Sequence, residues 1–146
     1  MLLKLKSQFA PLTNLDPRYQ HPLRVLIALA YTALLTLVLI QSSANPVVGP
    51  VAPREYNLAW EIFLTTGHLV GFALLVFLIW YALATVAPST RSLIVAVIFA
   101  CLLGLITEYL QSFVPDRSAS FFDLACDWGV AFTVAYLIYR QTKRHV

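Results

Sequence analysis

Charge is what this chain has least of. Asp, Glu, Lys and Arg make up 12% of its 146 residues, roughly half the share of an ordinary soluble domain. Hydrophobic residues make up 60%, and the mean hydropathy is +0.76. That balance excludes a soluble globular domain and predicts an integral membrane protein. The net charge of +3 forms no continuous basic stripe, which excludes nucleic acid as a partner. Lys4, Lys6, Arg18 and Arg24 lie before or at the very start of the first apolar run, and Arg140, Lys143 and Arg144 follow the last. Anionic lipid headgroups are the partner such flanks fit.

Other scarcities exclude more. The two cysteines, Cys101 and Cys126, fall in apolar runs at different depths, and their spacing matches no zinc motif. They are predicted to be small packing residues and not a disulfide. No serine or cysteine lies in a recognisable nucleophile motif, so covalent catalysis has no support. There is no HxxxH-type metal spacing, no cofactor is expected, and no internal repeat or low-complexity segment is evident.

Four apolar stretches approach the roughly 20 residues that a bilayer-spanning helix needs. They run from about Leu23 to Gln41, Leu58 to Val86, Ser92 to Leu110 and Phe121 to Tyr139. Turn signals separate them: the proline-rich stretch from Asn45 to Pro53, APST at Ala87 to Thr90, and VPDRSAS at Val114 to Ser120. The fold class expected is therefore all-α, a polytopic four-helix membrane bundle. Residues 1–22 form an N-terminal segment, 23–140 the helical domain and 141–146 a basic tail. The first apolar run exceeds a signal-peptide core and follows more than twenty residues, so it is predicted to stay as a helix. Both basic ends point to the cytoplasm under the positive-inside rule, which puts the first and third loops outside. Trp60 then falls near the outer boundary, and Trp80 and Tyr81 toward the inner one.

On that topology the polar residues converge on the extracytoplasmic half. Glu61 and His68 lie in the outer half of the second helix, Glu108 and Gln111 at the outer end of the third, and Arg117 in the outer loop. Asp123 and Asp127 occupy the first turns of the fourth. Ionisable groups inside bilayer-length segments persist where they pair or serve a function. Glu108 and Gln111, three apart, share a helix face, as do Asp123 and Asp127, four apart. Gly104, one turn below Glu108, would admit a close neighbouring helix. Glu108 can then face Asp123 or Asp127, with Arg117 folding down between them. Plainer roles stand beside these. Asp123 reads as the third residue of a capping box begun by Ser120, and Asp116 as a solvated turn residue. Glu61 reads as an interface marker, His68 as an interhelical hydrogen-bonder, and Glu108–Arg117 as a structural ion pair. Asp127 is too deep for a cap.

The pattern Glu108-x-x-Gln111, Pro115-x-Arg117, then Asp123 entering the last helix resembles the VanZ-like family of small bacterial membrane proteins. The likeness covers roughly Leu58 to Tyr139. Members show a histidine in an earlier helix, matched by His68, and an asparagine four residues after the aspartate. This chain departs from the pattern at that asparagine, where it has Asp127. Thr65 stands in place of a lysine before the histidine, and Phe72 where a tyrosine is common. Gly129 comes one residue early, leaving Val130 at the usual glycine position. The resemblance implies a role at the bacterial cell envelope, in the cytoplasmic (inner) membrane; the family's name comes from a protein associated with teicoplanin resistance.

Several functions follow from these residues. An outer site binding a polar or lipid-linked envelope component would use Arg117 for phosphate or carboxylate oxygens, with Gln111, Asp123 and Asp127 setting orientation. In an enzymatic version, His68 or Glu108 is the general acid or base. Proton- or cation-coupled transport and the structural support of a partner membrane protein are the alternatives. The partners expected are membrane lipids, a lipid-linked or cell-wall ligand, and another membrane protein or a second copy of the chain.

Overall fold

A computed structural model of the chain describes residues 17–40, 58–114 and 120–144, without the side chains of 17, 18, 58–61, 63 and 64. It consists of four helices: α1 (Pro17–Ile40), α2 (Leu58–Leu83), α3 (Ser89–Gln111) and α4 (Phe121–Lys143). Among the described residues there is no strand. All four helices are long and apolar enough to cross a membrane. The all-α, four-span expectation therefore holds, and the chain is a multi-pass membrane protein.

Helix ends differ from the sequence reading by up to two turns. α1 begins at Pro17 and not Leu23. Pro17 opens the helix, where its missing N–H is not needed, and Pro22 costs one hydrogen bond near the start without ending it. α3 starts one turn earlier than expected, at Ser89. α4 runs one turn further, to Lys143, which places Arg140 and Lys143 in a last turn whose dipole favours cations.

Hydrogen bonds fix the helix directions. Tyr31 Oη donates to the Gly71 carbonyl at 2.9 Å, and His21 Nδ1 lies 2.8 Å from Thr85 Oγ1, so α1 and α2 run antiparallel. Gln111 Nε2 reaches the Leu39 carbonyl, and Trp128 Nε1 donates to the Cys101 carbonyl at 3.2 Å. Ile40, Leu58, Gln111 and Phe121 thus lie at one end of the bundle, and Pro17, Leu83, Ser89 and Lys143 at the other. α2, α3 and α4 pack mutually as a triad, with α1 along α2 and, more lightly, α3.

The bundle is built for an apolar solvent. Large side chains such as Leu26, Leu37, Ile94 and Leu102 face outward, while His68, Ser92, Thr107, Glu108, Gln111 and Asp127 are buried. Water would favour the reverse, whereas lipid solvates aliphatic groups and forces polar groups to find partners inside. Helix hydroxyls satisfy themselves: Thr32, Thr36, Thr66, Thr133 and Thr142 each donate to the carbonyl four residues back.

The core is a stack of stripes at four-residue spacing. α3 contributes Ala96, Ala100 and Gly104, α2 contributes Phe72 and Val76 with Leu75 beside them, and α4 contributes Ala131. Small residues on α3 and α4 let these helices approach closely. A Cβ built on Gly104 would stand 3.5 Å from both Phe72 Cε1 and Leu124 Cδ1, ordinary contact. The tighter approach falls at Gly71, where a Cβ would meet Leu35 Cδ1 at 2.8 Å.

The Pro17–Lys143 end carries interfacial chemistry. The Arg24 guanidinium lies 4.0 Å from the Tyr81 ring centroid, and Trp80 Nε1 donates to Ser89 Oγ at 3.1 Å. Lys143 stands over Tyr139 at 4.9 Å. Basic and aromatic side chains together suit the headgroup level.

Candidate functional site

Each apolar stripe ends in a polar residue at the Gln111–Phe121 end. On α2, Val76 and Phe72 lead to His68. On α3, Ala96, Ala100 and Gly104 lead to Glu108. On α4, Ala131 leads to Asp127. Four-residue spacing keeps each on the interior face, so three helices deliver an imidazole and two carboxylates to one region of the interior. His68 is 6% exposed, Glu108 5% and Asp127 0%.

His68 and Asp127 form the first half of the site. Nδ1 of the imidazole lies 3.3 Å from Oδ1 and 3.3 Å from Oδ2, so the carboxylate straddles a single nitrogen. An ionised carboxylate only accepts, so the hydrogen on Nδ1 lies between the two groups. Nε2 makes no hydrogen bond among the described residues.

Glu108 forms the second half. Its Oε2 accepts from the Ser120 backbone N–H at 2.7 Å. Its Oε1 is buried and has no hydrogen-bond partner among the described residues. A buried acceptor without a donor is costly, of the order of 1–3 kcal/mol, and uncommon enough in folded proteins to demand a reason.

Asp123 is half-buried, in the first turn of α4. Ser120 caps α4, its hydroxyl accepting from the Asp123 N–H at 3.2 Å. In a closed capping box the third residue's side chain would take the Ser120 N–H. Here Glu108 takes that N–H from the neighbouring helix. The half-buried Asp123 carboxylate makes no hydrogen bond among the described residues. Its charge nonetheless lies close enough to act on His68, Glu108 and Asp127.

Gln111 also links two helices. It is buried, and its Nε2 donates to the Leu39 carbonyl at 2.8 Å, tying the end of α3 to the last turn of α1. A helix's final carbonyls lack intrahelical donors, so a side-chain amide there acts as a cap supplied by a neighbour. Arg117, with Pro115 and Asp116, lies outside the described residues, as do the side chains of Trp60 and Glu61. Both cysteines are free and half-buried, as small packing residues would be.

Below the site the interior turns apolar. Phe72 and Leu124 flank Gly104 as its floor, and Leu75, Val76, Ala100 and Ala131 continue downward. Among the described residues, no three His, Cys, Asp or Glu converge as a metal would require. The sequence reading missed the Ser120 N–H and the buried Thr107, whose hydroxyl donates to the Gly104 carbonyl at 2.9 Å. The small-residue row from Ala96 to Gly104 was the available signal for Thr107, since it marks the inward face of α3.

No family model, curated protein or solved structure matches this chain.

Proposed function

We propose that the chain is a VanZ-like protein of the bacterial cytoplasmic membrane, whose polar site binds or processes a polar or lipid-linked component of the cell envelope. The reading puts this site on the extracytoplasmic side, because Arg140, Lys143 and Arg144 sit at the opposite end and favour the cytoplasm. The observation that carries it is the buried Glu108 Oε1, which has no partner among the described residues, beside the His68–Asp127 pair. A purely structural knot would leave no acceptor empty in a low-dielectric interior. The apolar floor at Phe72 and the residues below it favours a one-sided site over a pathway through a single chain. If the bound component is also processed, His68 is the general acid or base, with Asp127 orienting the ring.

The test is genetic and uses the full chain. Deleting the gene should change susceptibility to cell-wall antibiotics, and wild-type protein should restore it. Glu108→Ala, at equal abundance in the membrane, should not. An unchanged deletion strain, or full restoration by Glu108→Ala, would reject the reading.

A further inference from the structure

The geometry points to a primary ammonium as the group this site recognises, held between Glu108 Oε1 and the carboxylate of Asp123. This deepens the functional reading above and rests on it.

Three carboxylates, Glu108, Asp123 and Asp127, share the site with one described basic group, His68, and that imidazole is already engaged by Asp127. Two acids therefore remain without a counter-charge among the described residues. Among the described residues, Glu108 has one buried oxygen without a donor, and the Asp123 carboxylate makes no hydrogen bond. The two are tied to opposite sides of one residue, Glu108 to the Ser120 N–H and Asp123, by its own N–H, to the Ser120 hydroxyl. Asp123 is half-buried and Glu108 is 5% exposed, so an incoming group meets the first before the second.

Ligand chemistries can be ranked against this arrangement. Phosphate or carboxylate oxygens would be repelled and would bring no proton to Oε1. A hydroxyl supplies one donor but leaves the excess negative charge. A quaternary ammonium supplies charge but no N–H. A primary ammonium supplies a positive charge and three donors, enough for Oε1 and for Asp123, as charge-assisted bonds of the stronger kind.

The depth of the site fits the same chemistry. Glu108 lies one helical turn from the end of α3, about 5 Å along the axis. Tyr109, Phe113, Phe121 and Phe122 are exposed around that end, and Phe121 is 91% exposed. Aromatic side chains in such numbers mark the headgroup level of a bilayer. Ammonium groups are presented at that level by ethanolamine headgroups, and also by free amines in the adjoining water.

The experiment uses full-length protein purified in detergent and stripped of lipid, with binding read by native mass spectrometry. The probes are short-chain lipids with ethanolamine, choline or glycerol headgroups, with free ethanolamine as competitor. The ethanolamine lipid should bind roughly tenfold or more tightly than the choline lipid, the gain of one charge-assisted hydrogen bond. Glu108→Gln should remove that preference, bringing ethanolamine-lipid binding down to the level of the choline lipid. Asp123→Asn, at a half-buried position, should reduce it several-fold and stands in if Glu108→Gln does not fold. Competition by free ethanolamine would show that the ammonium alone is recognised; its failure, with the lipid preference intact, would show that the ammonium must be carried on a lipid. Equal binding of ethanolamine and choline headgroups, or a preference that survives both substitutions, overturns the inference alone. If no headgroup binds at all, the inference falls, and the susceptibility test above decides the functional reading separately.

Discussion

Asp127 on α4 holds the Nδ1 of His68 on α2 symmetrically, at 3.3 Å from each carboxylate oxygen, with the acid completely buried. The pair joins two parallel helices that are not adjacent in sequence. Its removal has a direct consequence. Asp127→Ala leaves the imidazole unpaired, His68→Ala leaves the carboxylate unpaired, and each should destabilise the bundle by about 3–5 kcal/mol. The double variant should cost clearly less than the sum, because the two substitutions remove one shared interaction. Unfolding in mild detergent measures all three, and strict additivity would mean that the pair is not coupled.

Gln111 is expected to act on α1 and not on ligand. Gln111→Leu removes the donor to the Leu39 carbonyl and should cost about 1 kcal/mol. Amide exchange should rise in the last turn of α1 while the turn around Glu108 keeps its protection. Exchange rising equally around Glu108 would place Gln111 within the site.

The two interior glycines should respond differently to alanine. At Gly104 the added methyl meets ordinary contacts and the helix gains propensity of the order of 1 kcal/mol, so the variant should match or exceed wild type in thermal stability. At Gly71 the methyl displaces Leu35, and the gain should be offset. A Gly104→Ala protein less stable than Gly71→Ala would contradict these packing distances.

Ser120→Ala removes the cap hydroxyl but keeps the backbone N–H that Glu108 uses. The expected cost is about 1 kcal/mol, with ligand retention unchanged. Ser120→Pro deletes the N–H itself and should abolish retention. Equal behaviour of the two variants would show that the backbone bond to Glu108 is irrelevant.

The side of the membrane is open to labelling in a background lacking Cys101 and Cys126. Ser112→Cys, exposed beside the site, should react with an impermeant maleimide in intact cells. Arg144→Cys, exposed at the basic end, should react only after permeabilisation. The opposite pattern would put the site in the cytoplasm.

The four helices were legible because their apolar runs are of bilayer length and turn residues separate them. Their ends were less so. α1 begins six residues before the apolar run and carries Pro22 inside it, since a proline close to a helix start is tolerated when only one hydrogen bond is lost. Within the site, the grouping of Glu108 and Asp127 on interior faces could be read from spacing alone. The pairing of Asp127 with His68 could not, because it depends on how α2 and α4 are rotated against each other. Gln111 shows the same limit. Its face was evident, but the Leu39 carbonyl lies 72 residues away in sequence, and nothing local announces it. Asp123 looked like half of a capping box, and only tertiary packing lets Glu108 claim the other half.

The shallow position of the acidic cluster bears on how the cell's electrical gradient acts on it. Asp127 is six residues into α4, about 9 Å along an axis that crosses roughly 30 Å of hydrocarbon. A unit charge arriving there traverses at most about a third of the field, worth ~0.7 kcal/mol per 100 mV. Occupancy should therefore follow the composition of the adjoining leaflet far more than the energised state of the cell.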